Sequence, residues 1–207
     1  MSAYPPEPWH LRGQLYASAF LVAADDVKVD VPPDCELVQL RGRLVVGAVW
    51  VDYEPGGVLS YRELMTTVLV RRRLRLLPTI THIWVDSEVS RDGGRALWGI
   101  PKGLAEFDFQ FSDSGATRFA ARDSAGPLAR GSVRSIRRLP GRLPVRFKIV
   151  QLLGGRAKVS PVRSTATLAL ARGSFDADAG GPLAFLSGRR SIASFVLRDF
   201  RMSFGGR

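Results

Sequence analysis

The stretch LWGIPKGLAEFDFQFSD, residues 97–113, carries two signals at once. Its second half alternates. Phe107, Phe109 and Phe111 fall on one side and Asp108, Gln110 and Ser112 on the other, the period-two pattern of a half-buried β-strand. Its first half sets Lys102 behind Pro101 among Trp98, Ile100 and Leu104. The chain has only four lysines among its 30 basic residues, so a lysine in apolar company needs a reason.

Working outward, the strand pattern repeats. QLYASAFLVA (14–23), LVVGAVWVDY (44–53) and TITHIWVD (79–86) are rich in β-branched and aromatic residues. LSYRELMTTVLV (59–70) reads as a strand through its TTVLV tail. Turn signals separate the runs: EPGG at 54–57, RDGG at 91–94, DSG at 113–115 and DADAGGP at 176–182. Many short strands at this spacing predict a mainly β protein, a sandwich or closed barrel with few short helices. With no repeat or linker, residues 1–207 read as a single domain.

Composition narrows the class. A charged fraction of 24% and a hydrophobic fraction of 45% are those of an ordinary globular protein. No apolar run reaches the roughly 18 to 20 residues of a membrane span, and MSAYPPEPWHLRG lacks the features of a signal peptide, so a soluble cytoplasmic protein is expected. The single cysteine, Cys35, excludes an internal disulfide. The net charge of +11 comes from scattered arginines without interleaved aromatics, so neither a nucleic acid nor a membrane is expected as a partner.

Arginine stays protonated, whereas a lysine becomes a nucleophile once its pKa falls, and burial pushes it that way. The alternative is a Lys102 lying in a turn with its ammonium in water. Composition alone favours the solvated turn.

The motif around Lys102 does more. WVDSE (84–88) and GGRALWGIPKGLAEF (93–107) together resemble the active-site segment of the acetoacetate decarboxylase family: Asp86 and Glu88 after an apolar strand, then Gly94, Arg95 and Leu97, then Pro101, Lys102 and Leu104. GGVLSYREL (56–64) resembles the family's upstream segment, with Tyr61 and Glu63 in the matching places, and VDVPPDCELV (29–38) its early segment more loosely. The resemblance implies a cone-shaped, closed antiparallel β-barrel that assembles into homo-oligomers. It also implies a cofactor-free decarboxylase in which Lys102 forms a Schiff base with a keto acid and Glu63 protonates the enamine. No metal or organic cofactor is implied, because the lysine itself supplies the electron sink.

The departures from the family pattern bear on the substrate. The second lysine expected after the nucleophile is Gly103, so burial would have to neutralise Lys102, aided by Arg62 or Arg95 if either is near. The second acid would fall near Gly47 or Ala48, and an early-strand arginine near Leu21. A more apolar pocket than acetoacetate needs is therefore expected, with Tyr61, Trp84, Trp98 and Ile100 among its walls, Trp50 and His82 beside them, and Arg62 or Arg95 to hold a carboxylate. Arg95 has a second reading, pairing with Asp86 or Glu88 to fix the RDGG turn. Exposed apolar residues in YPPEPWHL and SFVLRDFRMSF would serve subunit contacts. Three activities fit: decarboxylation of a keto acid, acetoacetate-like or larger and more apolar; Schiff-base aldolase, dehydratase or hydratase chemistry on α-keto acids; or non-catalytic binding of an apolar small molecule.

Overall fold

The computed structural model describes residues 4–112 and 115–206, so Asp113 and Ser114 of the expected DSG turn lie outside the described residues. The strands are β1 (Trp9–Ala23), β2 (Glu36–Leu37), β3 (Gln39–Leu40), β4 (Arg43–Tyr53), β5 (Tyr61–Arg72) and β6 (Arg75–Val85). Helix α1 (Glu88–Trp98) follows. Then come β7 (Lys102–Leu104), β8 (Glu106–Phe111), β9 (Ala116–Asp123), β10 (Gly126–Arg138), β11 (Leu143–Leu153), β12 (Arg156–Ala177) and β13 (Ala193–Phe204). No helix of the described residues is long and apolar enough to cross a membrane.

All these strands belong to one sheet, in the order β7-β6-β5-β4-β1-β13-β12-β10-β9-β8, with β11 on β12, β2 on β5 and β3 on β4. The pairings are antiparallel except for the short parallel ladder of β7 on β6. The fold is mainly β, as expected, but the ring is not closed by hydrogen bonds. The ladder ends at β7 and β8, which are separated in the chain by Ala105 alone. The chain itself steps from one end of the sheet to the other there, so the two edges are linked covalently rather than by a shared ladder.

The long central strands are buried on both faces, which is why they read as near-continuous apolar runs. On β4, Val46, Ala48 and Trp50 enter one core with Tyr16 and Phe20 of β1 and Leu64 and Val68 of β5. The alternate residues Val49, Val51 and Tyr53 enter a second core with Leu11, Ala17, Tyr61, Ile83, Trp98 and Phe200. A single sheet thus partitions two interiors, and parity along each strand decides which one a side chain joins.

The RDGG segment, expected as a turn, lies inside α1. Ser87 caps the helix by accepting a bond from the Ser90 amide at 3.2 Å, and Gly99, at φ 69°, ends it in the left-handed conformation that glycine adopts most readily. The glycine pair serves packing. A Cβ on Gly93 would lie 2.5 Å from the Trp9 ring, and one on Gly99 would lie 2.1 Å from the Leu152 carbonyl oxygen. The segments expected to be exposed for subunit contacts are folded inward instead: Trp9 and Phe200 are buried, and Trp98 packs edge-on against both Trp9 and Phe204.

Candidate active site

Lys102 is 4% exposed, and the second core surrounds it. Parallel pairing with β6 sets Lys102 opposite Ile83, while the antiparallel register of β5 sets Glu63 opposite Val85, so the two side chains meet on one face. The ammonium nitrogen of Lys102 donates to Glu63 Oε2 at 2.9 Å, to Ser90 Oγ at 2.9 Å and to Tyr61 Oη at 3.3 Å. Three donors meet three acceptors, and the nitrogen also lies 4.9 Å from the centre of the Tyr61 ring. The turn reading of a solvated Lys102 is thereby excluded.

Ser90 and Gly94 stand one helical turn apart on α1 and act together. Ser90, fully buried, bonds the amine, while a Cβ on Gly94 would lie 2.8 Å from Lys102 Cδ and 2.9 Å from Cε. Only a bare backbone at 94 lets the lysine stem pass under the helix. Glu63, 2% exposed, has its other oxygen bonded by the Tyr53 hydroxyl at 3.2 Å. Ser90 and Tyr53 were not singled out from the sequence. Ser90 becomes visible only as the i−4 neighbour of Gly94 once the segment is known to be helical, and Tyr53 once its register opposite Tyr61 is known.

Electrostatics differ from the expectation that burial alone neutralises the amine. Burial does push the Lys102 ammonium down, but the Glu63 carboxylate and Tyr61 more than offset it, and the net direction is above the ordinary lysine value. Burial pushes the Tyr61 and Tyr53 phenols up, Tyr53 the further of the two, so both hydroxyls remain protonated donors at neutral pH.

The cavity beside Lys102 has a volume of about 300 Å³. Trp98, Ile100 and Tyr61 line it as expected. Trp84, Trp50, His82 and Arg62 do not, because each has the wrong parity. Trp84 pairs with Leu64 and lies against the first core, its ring stacked over His82. Trp50 stacks on Phe119 in that core, with ring centres 5.2 Å apart. Arg62 lies 3.8 Å from Asp52 and over the Phe109 ring. Arg95, exposed on the outer side of α1, donates its Nε to the backbone carbonyl of Lys102 at 2.7 Å, so its guanidinium is engaged with the strand that carries Lys102 and lies outside the cavity lining.

The missing family groups have local explanations. A Cβ on Gly103 would lie 3.0 Å from Trp84 Cδ1, so Trp84 occupies the space where a second lysine would begin. On β4 the residue paired with Glu63 is Val51, fully buried, so no second carboxylate adjoins it there. Among the described residues that line the cavity, Lys102 and Glu63 are the only charged ones. No group of three or more His, Cys, Asp or Glu among the described residues is placed to hold a metal ion.

Comparisons with known proteins agree with this architecture. The fold is similar to acetoacetate decarboxylase from Legionella pneumophila subsp. pneumophila str. Philadelphia 1, at 17% identity and a TM-score of 0.73 over 99% of this chain and 88% of that one. It is similar to the enduracididine biosynthesis enzyme MppR complexed with pyruvate, at 16% identity and a TM-score of 0.69, covering 98% and 90%. It also resembles an acetoacetate decarboxylase-like enzyme from Sphingomonas wittichii RW1, at 13% identity and a TM-score of 0.69, covering 99% and 93%. Among curated protein sequences none matches. The family model for acetoacetate decarboxylase matches residues 1–151, and with Lys102 and Glu63 both inside that span, the chain belongs to the acetoacetate decarboxylase family.

Proposed function

We propose that the protein decarboxylates a β-keto acid through a Schiff base on Lys102. The observation that carries this is the buried Lys102–Glu63 pair, 2.9 Å apart in an otherwise uncharged cavity. Proton transfer from the Lys102 ammonium to Glu63 gives a neutral tautomer of the pair, amine beside carboxylic acid. That tautomer holds both reagents the chemistry needs. The Lys102 amine forms a C–N bond to the ketone carbon while the carbonyl oxygen gains a proton. The carbinolamine then loses water, with Glu63 as the proton donor, and leaves an iminium. The C–C bond to the carboxylate breaks, carbon dioxide departs, and the electron pair moves into the enamine. Glu63, reprotonated from solvent, gives a proton to the enamine carbon, and water hydrolyses the resulting iminium, releasing the ketone and returning the amine to Lys102 and a proton to Glu63.

The cavity lining bears on the choice between readings. An α-keto acid keeps its carboxylate through an aldol or dehydration sequence and needs a cation to hold it, and the lining supplies none beyond Lys102. A β-keto acid loses its carboxylate. A carboxylate taken from water into an apolar cavity gains by dispersing its charge into the breaking bond, the condition under which expelling solvent speeds decarboxylation. The experiment is borohydride reduction of the protein with acetoacetate, a longer 3-oxo acid or pyruvate, followed by peptide mass spectrometry. The expected result is a reduced adduct on Lys102 with the 3-oxo acids and carbon dioxide evolved without borohydride. An adduct with pyruvate alone supports the α-keto acid relative. No adduct from any of them supports a binding protein.

A further inference from the structure

The cavity is larger than the chemistry around Lys102 requires, and its shape is directional. Tyr61, Glu63, Met65 and Thr67 alternate along β5 and all line it. From Glu63 to Thr67 the strand advances about 13 Å. The reacting end is walled by Trp9, Trp98 and Phe200, which are buried. The far end of this strand face lies past Thr67 and Pro78, both of them partly exposed. The rest of the lining is mostly apolar, with Ile149, Phe195 and Leu197 among its members and Ser164 a polar exception.

We propose that the substrate is a 3-oxo acid with an extended apolar chain, its keto carbon at Lys102 and its chain lying along β5 past Met65 toward Thr67. The proposal rests on the Schiff-base reading for the placement of the keto carbon. A cavity of about 300 Å³ is at the small end of ligand pockets and more than a four-carbon acid needs, which suits a medium-chain acid such as 3-oxooctanoate. Acetoacetate fills the reacting end only and leaves the lining around Met65 and its neighbour Val49 without a partner. The opposite arrangement, with the carboxylate toward the far end, has no cation to receive it among the cavity-lining residues described. Absence of the family's arginine and second lysine is then a matter of specificity, since the chain and not the carboxylate holds the substrate.

The test compares kcat/KM for acetoacetate, 3-oxohexanoate, 3-oxooctanoate and 3-oxododecanoate. Each methylene that enters the slot raises kcat/KM about fourfold, equivalent to about 0.8 kcal/mol, so 3-oxooctanoate exceeds acetoacetate by about two-hundred-fold and 3-oxododecanoate falls back. Thr67→Phe, which narrows the far end, brings the ratio of 3-oxooctanoate to acetoacetate below about tenfold. A second measurement avoids the chemistry: octan-1-ol, which forms no imine, raises the Tm of the wild-type protein more than butan-1-ol at equal concentration. Adducts on Lys102 with no preference for chain length overturn the proposal and leave the lysine chemistry standing. Stabilisation by octan-1-ol without an adduct from any keto acid keeps the apolar slot and overturns the Schiff base.

Discussion

Glu63→Gln is the most informative single change, because it removes the carboxylate beside the Lys102 ammonium and keeps the shape. At 2.9 Å, with an effective dielectric of about 20, the two unit charges attract by about 6 kcal/mol. In the variant the buried ammonium loses that partner. It then either stays charged, destabilising the fold by about 3 to 5 kcal/mol, or gives up its proton. The two proteins therefore differ in how their stability depends on pH. In the wild type burial pushes the amine down, but Glu63 and Tyr61 outweigh it and its value lies above that of a free lysine. Its contribution to stability is present below the unfolded lysine pKa of about 10.4 and is lost as pH rises through the raised folded value. With Glu63 neutralised, burial dominates and the folded value falls below the unfolded one, so stability increases as pH rises toward the unfolded value. The slope reaches about 1.4 kcal/mol per pH unit at most. Urea unfolding of both proteins between about pH 6.5 and about pH 9 measures the difference, and subtraction cancels the other titrating groups. Trapping of a keto acid by borohydride should shift to lower pH in the variant, since neutral amine is then available. Parallel stability curves, offset by less than about 1 kcal/mol, would refute the buried ion pair.

Other outcomes follow from the same geometry. In the wild type, trapping at Lys102 should accelerate as pH rises from neutral toward the alkaline range; a rate that declines over that interval contradicts a raised lysine pKa. Ser90→Ala removes one of the three acceptors around the ammonium and should destabilise the fold by about 1 to 3 kcal/mol in urea unfolding, whereas an effect below about 0.5 kcal/mol would mean that the bond contributes nothing. Gly94→Ala forces a methyl group against the lysine stem; a loss of about 1 to 3 kcal/mol is expected, with trapping slowed at least about tenfold, and wild-type trapping would show that the stem has another path. Arg62→Gln should leave trapping within about twofold of wild type, because the guanidinium faces Asp52 and Phe109 across the sheet from the cavity, and a larger effect would return Arg62 to the site.

How much of this was legible in the sequence turns on parity. The strands announced themselves by their β-branched and aromatic runs, and Lys102 with Glu63 by the family-like spacing around them. Trp84, Trp50, His82 and Arg62 were misplaced because a position on an apolar strand does not say which face a residue takes when both faces are buried. The register of β5 on β6 also shifts between Thr66 and Thr67, so counting in twos from Glu63 does not carry through to every partner. Helix α1 was legible in principle. Ser87 and Gly99 bracket it with a start and a stop signal, but Gly93 and Gly94 read as a turn because their reason for being glycine, Trp9 and Lys102 overhead, is a tertiary one. The amine's electrostatics were misjudged for a related reason. Burial could be read from the apolar neighbours, whereas the distance to Glu63 could not.

Alternation along β5 has a consequence for how the chain finds its fold. Tyr61 and Glu63 look into the cavity and Arg62 looks away, so pairing β5 one residue out of register would exchange the carboxylate for a guanidinium beside Lys102. Two like charges would then be sealed in an apolar space with no counterion, a worse outcome than any misplaced leucine. Packing alone discriminates weakly here, because both faces of the strand are apolar and either would fill its core. The Lys102–Glu63 pair thus makes the slipped register electrostatically costly, and its replacement by two apolar residues should remove that cost even where the protein is no less stable.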